Sequence, residues 1–297
     1  MQMDVQPKVA IAGAGPVGLA LALGLARMGV RTVLLEQAAE LPPFSRAVVV
    51  LTRTLEAFQG WNVGERFFNE SEFLTSFSAY RAETNTPFIR LDFSALKSIT
   101  PRPGVAILPQ DQTEKILCEE LLKTGLSEVR FQHEVVSATQ DDAGIRLTIQ
   151  SGDGARYDLE AAYLVGCDGA HSAVRASLGI TLEGTTYPAH VFLADVHITD
   201  SRDALPWPRL TFDTPRFLFA VRFEPGRWRI VGALGTNPDV TLDHDFYAEQ
   251  VEATIGSGPF EIMWQSTFKI HRRHAASFRT GRILLAGDAA HLNSPAG

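Results

Sequence analysis

The first residues along the chain whose types and spacing suit chemistry are Gly13-Ala14-Gly15-Pro16-Val17-Gly18. They follow an apolar run at 9–12 and open a stretch rich in Ala and Leu at 16–28. The first glycine of such a turn permits a tight bend, the second lets backbone approach a pyrophosphate, and the third lets helix pack closely on strand. The helix start adds unpaired N–H groups and a dipole that favours anionic phosphate. Gly13, Gly15, Pro16, Val17 and Gly18 are therefore candidate cofactor contacts. Glu36 ends a second, β-branched run at 31–36. It falls about 20 residues further on, where an acid accepts hydrogen bonds from both ribose hydroxyls. That carboxylate would repel a 2′-phosphate, so the pocket suits FAD or NAD and not NADP. The turn itself does not choose between the two.

Several elements must position these residues. Strand, turn, helix and strand between 8 and 36 make a βαβ unit. A helix is expected at 112–123, a hairpin at 128–140 and 144–150, and buried strands at 157–165 and 282–286, the last running into Gly287-Asp288. Residues 186–269 change character, with Pro, Trp, Phe and alternating runs that read as an antiparallel sheet, and 76–81 and 87–93 are strand-like too. The fold class expected is α/β: a Rossmann-like nucleotide-binding part with an inserted antiparallel β-sheet.

Composition narrows the function classes. A chain of 297 residues with 45% hydrophobic and 21% charged residues is ordinary for a soluble globular protein. A net charge of -7 argues against wrapping nucleic acid, which needs clustered cations. The two cysteines, Cys118 and Cys167, have neither metal-ligand nor redox-pair spacing, so no metal site is expected, and free thiols fit a cytoplasmic protein. Residues 9–26 carry no charge and approach the length of a membrane span. Glycines and a proline interrupt them and no basic flank precedes them, so no membrane segment or signal peptide is expected.

Further along lie Asp168-Gly169-Ala170-His171 after an apolar run, Gly287-Asp288-Ala289-Ala290-His291 after another, Gln112-Thr113-Glu114 at a helix start, and Ser45-Arg46-Ala47. With the first turn, in this order and spacing over 8–297, they resemble the class A flavin monooxygenases, the group of para-hydroxybenzoate hydroxylase and phenol hydroxylase. The resemblance implies a discontinuous FAD-binding domain at 1–75, 104–185 and 270–297, with a substrate-binding sheet at 76–103 and 186–269. It implies that Asp288, with Gly287, bonds the ribityl chain of FAD and that Arg46 and Gln112 hold the pyrophosphate and ribityl region. Val136 would offer a backbone contact to adenine, and Asp168 would serve FAD and the approach of the nicotinamide, with Arg175 holding that segment. Pro295 and Gly297 would meet the flavin edge.

The implied reaction is hydroxylation of a small phenolic or polyketide-like aromatic. NAD(P)H reduces FAD, O2 adds at flavin C4a, and the resulting hydroperoxide delivers the hydroxyl. His171 and His291 read as structural, and no catalytic base is assigned. Tyr80, Tyr187, His190 and Arg222 are candidates to bind a phenolate, and Phe212, Phe217, Phe219, Phe223 and Trp228 to line one apolar sheet face. Epoxidases and non-aromatic hydroxylases share these signatures. The family continues past the Ser294-Pro295-Ala296-Gly297 stretch with a glycine-rich turn and a helix, so a catalytically incomplete flavin-binding fragment stays open, as do the exact substrate, the NADH or NADPH choice and a homodimer.

Overall fold

Four consecutive apolar side chains leave no wet face for a strand, and Val9–Ala12 is buried on both sides. The computed structural model describes residues 7–43, 47–81, 84–213, 216–235 and 240–293. Val9–Ala12 pairs in parallel with Thr32–Glu36 on one side and Tyr163–Gly166 on the other. Ser127–Phe131 and Ile283–Leu285 extend this parallel sheet outward, and a short antiparallel strand, Arg279–Thr280, closes one edge.

Side chains alternate across a strand, so the two faces need separate covers. Ile11 and Leu34 point into a core with Leu19 and Leu23 of the helix Pro16–Arg27 and with Ile116, Leu117 and Leu121 of the helix Gln110–Leu122. Ala10, Ala12, Val33 and Leu35 face the other way, onto Val135, Leu147 and Ile149 of a three-stranded antiparallel meander. The expected hairpin forms within that meander, where the Asp141 carboxylate accepts the backbone N–H groups of Ala143 and Gly144.

The second sheet has eight strands. From edge to edge they are His291–Leu292, Glu261–Ala275, Leu182–His197, Arg227–Gly235, Arg216–Glu224, Arg209–Asp213, Ser76–Arg81 and Pro87–Asp92. Neighbours are antiparallel except Arg209–Asp213 beside Ser76–Arg81, which run parallel. The helix His244–Ile255 covers one face, packing Tyr247, Val251 and Ile255 on Phe192, Leu218 and Ile230. On the opposite face Val221 and Phe223 meet Val48, Val105 and Ile107 of the nucleotide-binding part.

The aromatic row expected on one face is divided between two. Phe219 and Phe223 lie on the Val221 side, whereas Trp228 is fully buried under the helix and donates its indole N–H to Asp203 Oδ1 at 3.0 Å. The side chain of Phe212 falls outside the described set. Alternation along single strands signals two faces but not which residues of neighbouring strands share one. The α/β class holds: a mainly parallel Rossmann-like sheet and a largely antiparallel second sheet. Among the described residues no helix is long and apolar enough to cross a membrane.

Candidate functional site

The glycine turn is built by close approach. Gly13 has φ +98°, and a Cβ there would strike the carbonyl of Cys167. A Cβ on Gly18 would strike the carbonyl of Gly13. The fold itself therefore demands these two glycines. Gly15 differs: a Cβ there meets none of the described residues within 4 Å, and this residue caps the helix Pro16–Arg27 without a side-chain bond or an acid in the first turn. The helix thus presents uncapped N–H groups to an open approach.

Glu36 is held from both oxygens. Its Oε2 accepts the N–H of Ala14 at 2.8 Å and its Oε1 that of Ala38 at 2.9 Å. Each carboxylate oxygen keeps a further lone pair for a hydroxyl donor. The opposite wall comes from Asp168, two residues past the strand Tyr163–Gly166. Its Oδ2 accepts the N–H of Val174 at 3.0 Å, while Oδ1 is buried without a partner among the described residues. Gly13, Gly15, Glu36, His133, Asp168 and His171 line one hollow of about 330 Å³. Cys167 also lines it, and burial, reinforced by the Asp168 charge, pushes its thiol up to about 12. A thiol held protonated is a wall and not a nucleophile.

Arg175 ties the two acidic segments together. Its guanidinium donates to the carbonyl of Ala289 at 3.1 Å and to that of Ala170 at 2.8 Å. Gly287 has φ +60°, and a Cβ there would come within 2.9 Å of the Val17 side chain. Asp288 follows in the turn Gly287–Ala289, exposed, with Ala286 and not Asp288 in the capping position. Gly15 at the hollow's edge and the Gly287–Ala289 turn against Val17 thus both adjoin the start of the helix Pro16–Arg27.

Val136 sits at an irregularity of the strand His133–Gln140. Register runs from Val135 opposite Ile149 to Ser137 opposite Thr148, which leaves Val136 as the extra residue of a bulge. Its neighbours Glu134 and Val135 line the hollow. Arg46, Pro295 and Gly297 lie outside the described residues.

Gln112 is placed differently from expectation. Its amide donates to Glu224 Oε1, on the antiparallel sheet, at 2.5 Å. The helix begins two residues earlier than expected, at Gln110, so Gln110 is the glutamine beside Pro16 and Val17. Two residues along a helix turn the side chain through roughly 200°, so these glutamines face nearly opposite ways. Gln110 and Thr113 line a second, apolar hollow of about 440 Å³ with Pro16, Val17, Val49 and Leu51. Gln110 also donates to Glu114 Oε1 at 2.7 Å. Burial pushes the Glu114 carboxyl up, partly offset by that bond. A glutamine directly after Leu108-Pro109 was the available signal for Gln110, and Glu114 fell within the Gln112-Thr113-Glu114 segment without a role of its own.

The suggested phenolate binders do not converge as a group. Arg222 lies on the helix-covered face, donating to the Asp203 carbonyl at 3.2 Å. Tyr187 is 44% exposed, and His190 sits where the strand Leu182–His197 shifts register. Where the two sheets meet, Arg229 and Asp195 form a two-bond ion pair at 2.7 Å, both about 3% exposed. Glu224 bridges Gln112 and Arg227, and burial pushes Asp111 up against the nearby guanidiniums of Arg227 and Arg229.

The residues fit a dinucleotide. One hollow is lined by a fixed carboxylate, by the glycine before an uncapped helix start, and by a residue whose buried carboxylate oxygen can accept a further hydrogen bond.

Residues 6–297 match the FAD binding domain family. The chain is 34% identical over 97% of its length to a 12-dehydrotetracycline 5-monooxygenase/anhydrotetracycline 6-monooxygenase of Streptomyces rimosus, and spans 58% of that relative. The crystal structure of a p-nitrophenol 4-monooxygenase from Pseudomonas putida superposes with a TM-score of 0.89 at 27% identity, covering 99% of this chain and 75% of the other. An aklavinone-11 hydroxylase, crystallised as a ternary complex with FAD and aklavinone, gives a TM-score of 0.86 at 26% identity, covering 99% and 59%.

Proposed function

The chain belongs to the FAD binding domain family, and from that premise we propose that it holds FAD at the glycine turn for hydroxylation of a phenolic or polyketide-like aromatic, with NAD(P)H and O2 as co-substrates. Bound FAD supplies the redox chemistry: electrons from the nicotinamide and activation of oxygen for transfer to an electron-rich ring. This chain's own residues bind, orient and exclude water. Glu36, locked by two backbone N–H groups, receives the adenosine ribose hydroxyls in a fixed direction. The N–H groups of the helix start meet the pyrophosphate, and Gly15 leaves the approach clear. Asp168 Oδ1 accepts a hydrogen bond from the cofactor side of the hollow. Asp288, across Val17 and Gly287, takes the ribityl hydroxyls, and the Val136 bulge offers backbone to adenine.

Residues 76–103 and 186–269 are read as the substrate part. The face carrying Phe219 turns toward the nucleotide-binding part and supplies an apolar wall against which an aromatic ring stacks. The named activities of relatives, on anhydrotetracycline, p-nitrophenol and aklavinone, support an aromatic substrate.

A single observation carries the cofactor reading: the open approach at Gly15 and the unpartnered Asp168 oxygen belong to one hollow. The test is oxidation of NADH and NADPH by the FAD-loaded protein with a panel of phenols and fused-ring aromatics. A product carrying one added oxygen, formed in step with nicotinamide oxidation, is expected. Oxidation that never yields a hydroxylated product, across the panel, overturns the reading.

A further inference from the structure

Glu114 is a charged residue type in an expensive place. It is 1% exposed on the helix Gln110–Leu122, whose Ile116, Leu117 and Leu121 belong to the apolar core, and leucine there would carry no electrostatic cost. Its Oε1 accepts the Gln110 amide at 2.7 Å, and its Oε2 has no partner among the described residues. The hydroxyl of Thr113, one residue before it, is also buried and unpartnered. Buried polar atoms left unmatched need a reason.

Gln110 supplies one. It stands at the first position of its helix, with its backbone N–H fixed to the carbonyl of Ala47 at 3.0 Å. It shares a hollow with Pro16 and Val17, the first two residues of the helix that receives the pyrophosphate, and Val17 adjoins Gly287. A dinucleotide running from Glu36 past Gly15 to Asp288 passes in front of Val17, which brings its middle against Gln110. A free glutamine there would sample several rotamers. One bonded to a buried acceptor a turn away presents its remaining amide N–H and its carbonyl in one direction.

We propose that Glu114 is a positioning residue that acts through Gln110, fixing the Gln110 amide to bond the ribityl–pyrophosphate portion of FAD. This rests on the FAD reading above.

The experiment is titration of FAD into the purified chain and its variants, followed by flavin fluorescence and visible circular dichroism, with thermal unfolding alongside. Gln110→Ala and Glu114→Leu should each raise the FAD dissociation constant about five- to tenfold, the scale of one hydrogen bond. The double variant should be no worse than either single, because both remove one interaction. Glu114→Gln keeps an acceptor and should stay within about twofold of the unsubstituted chain, with its flavin dichroism unchanged. Glu114→Leu that folds and binds FAD normally overturns the positioning role and leaves the FAD reading standing, as do additive losses in the double variant. If Glu114→Leu does not fold, Glu114→Gln with Gln110→Ala decides: a large loss in Glu114→Gln, or none in Gln110→Ala, overturns it. An unsubstituted chain that binds no FAD overturns both readings.

Discussion

The parallel and antiparallel sheets place their carboxylates differently. In the parallel sheet, Glu36, Asp168 and Asp288 all lie at or just beyond the C-terminal ends of the strands Thr32–Glu36, Tyr163–Gly166 and Ile283–Leu285. Within those strands the side chains are apolar or hydroxyl, because both faces are covered. In the antiparallel sheet the buried charges sit mid-strand, with Asp195 on Leu182–His197 paired to Arg229 on Arg227–Gly235. A parallel sheet thus pushes its chemistry to one edge, where ligands bind, whereas an antiparallel sheet packed against a second body buries polar pairs in its interior.

If that contrast holds, the largest single effect on stability belongs to the antiparallel sheet. Asp195→Ala removes both carboxylate bonds to the buried Arg229 guanidinium and should cost about 3–5 kcal/mol, read by urea unfolding. The double variant Asp195→Leu with Arg229→Met should lose much less, since both buried charges are replaced together by apolar side chains of similar size. An equal loss in both would mean that the pair is held by packing alone.

The glycine turn separates folding from binding. Gly13→Ala meets both a left-handed backbone and the Cys167 carbonyl, so a loss of about 1–3 kcal/mol in stability is expected. Gly15→Ala meets open space, so its unfolding midpoint should not move, while FAD affinity falls about tenfold or more. Comparable stability losses in the two would dissolve the distinction drawn here. Glu36→Ala should weaken FAD by about tenfold, and NADH oxidation should fall only as far as the cofactor is lost.

Smaller effects sharpen the comparison. Gln112→Ala removes a bond between the helix Gln110–Leu122 and the antiparallel sheet, so stability should fall by about 1 kcal/mol with FAD affinity unchanged. Cys167 gives a pH test. Its folded thiol is pushed up to about 12, above the usual thiol value of about 8.5, so the folded state keeps a proton that the unfolded chain releases. Stability should therefore decline as pH rises from about 8.5 toward 12. Cys167→Ala should remove that share of the decline, seen as a flatter unfolding midpoint between pH 8 and 10 (roughly the lower part of that window).

Legibility in the sequence follows the same division. The βαβ unit, the glycine turn, Glu36 and the Asp-Gly and Gly-Asp segments were readable because each is local: strand end, turn and helix start are contiguous. The sequence pointed to Gln112, whereas the helix starts two residues earlier, and on a helix that shift puts Gln110 beside Pro16 and Val17 and turns Gln112 toward Glu224. Trp228 and Arg222 were assigned to the substrate face, yet a register shift between Arg222 and Glu224 and the covering helix decide those faces. Asp195 and Arg229 lie 34 residues apart on neighbouring strands, and no local pattern announces such a partner.

The most direct test of the account is a visible spectrum of the purified chain after incubation with FAD and removal of free cofactor by gel filtration. Flavin bands that co-elute with the protein, with induced dichroism in the visible range, are expected from a cofactor fixed at Glu36, Gly15 and Asp168. A folded protein, verified by its far-ultraviolet dichroism, that elutes colourless at saturating FAD would contradict the account.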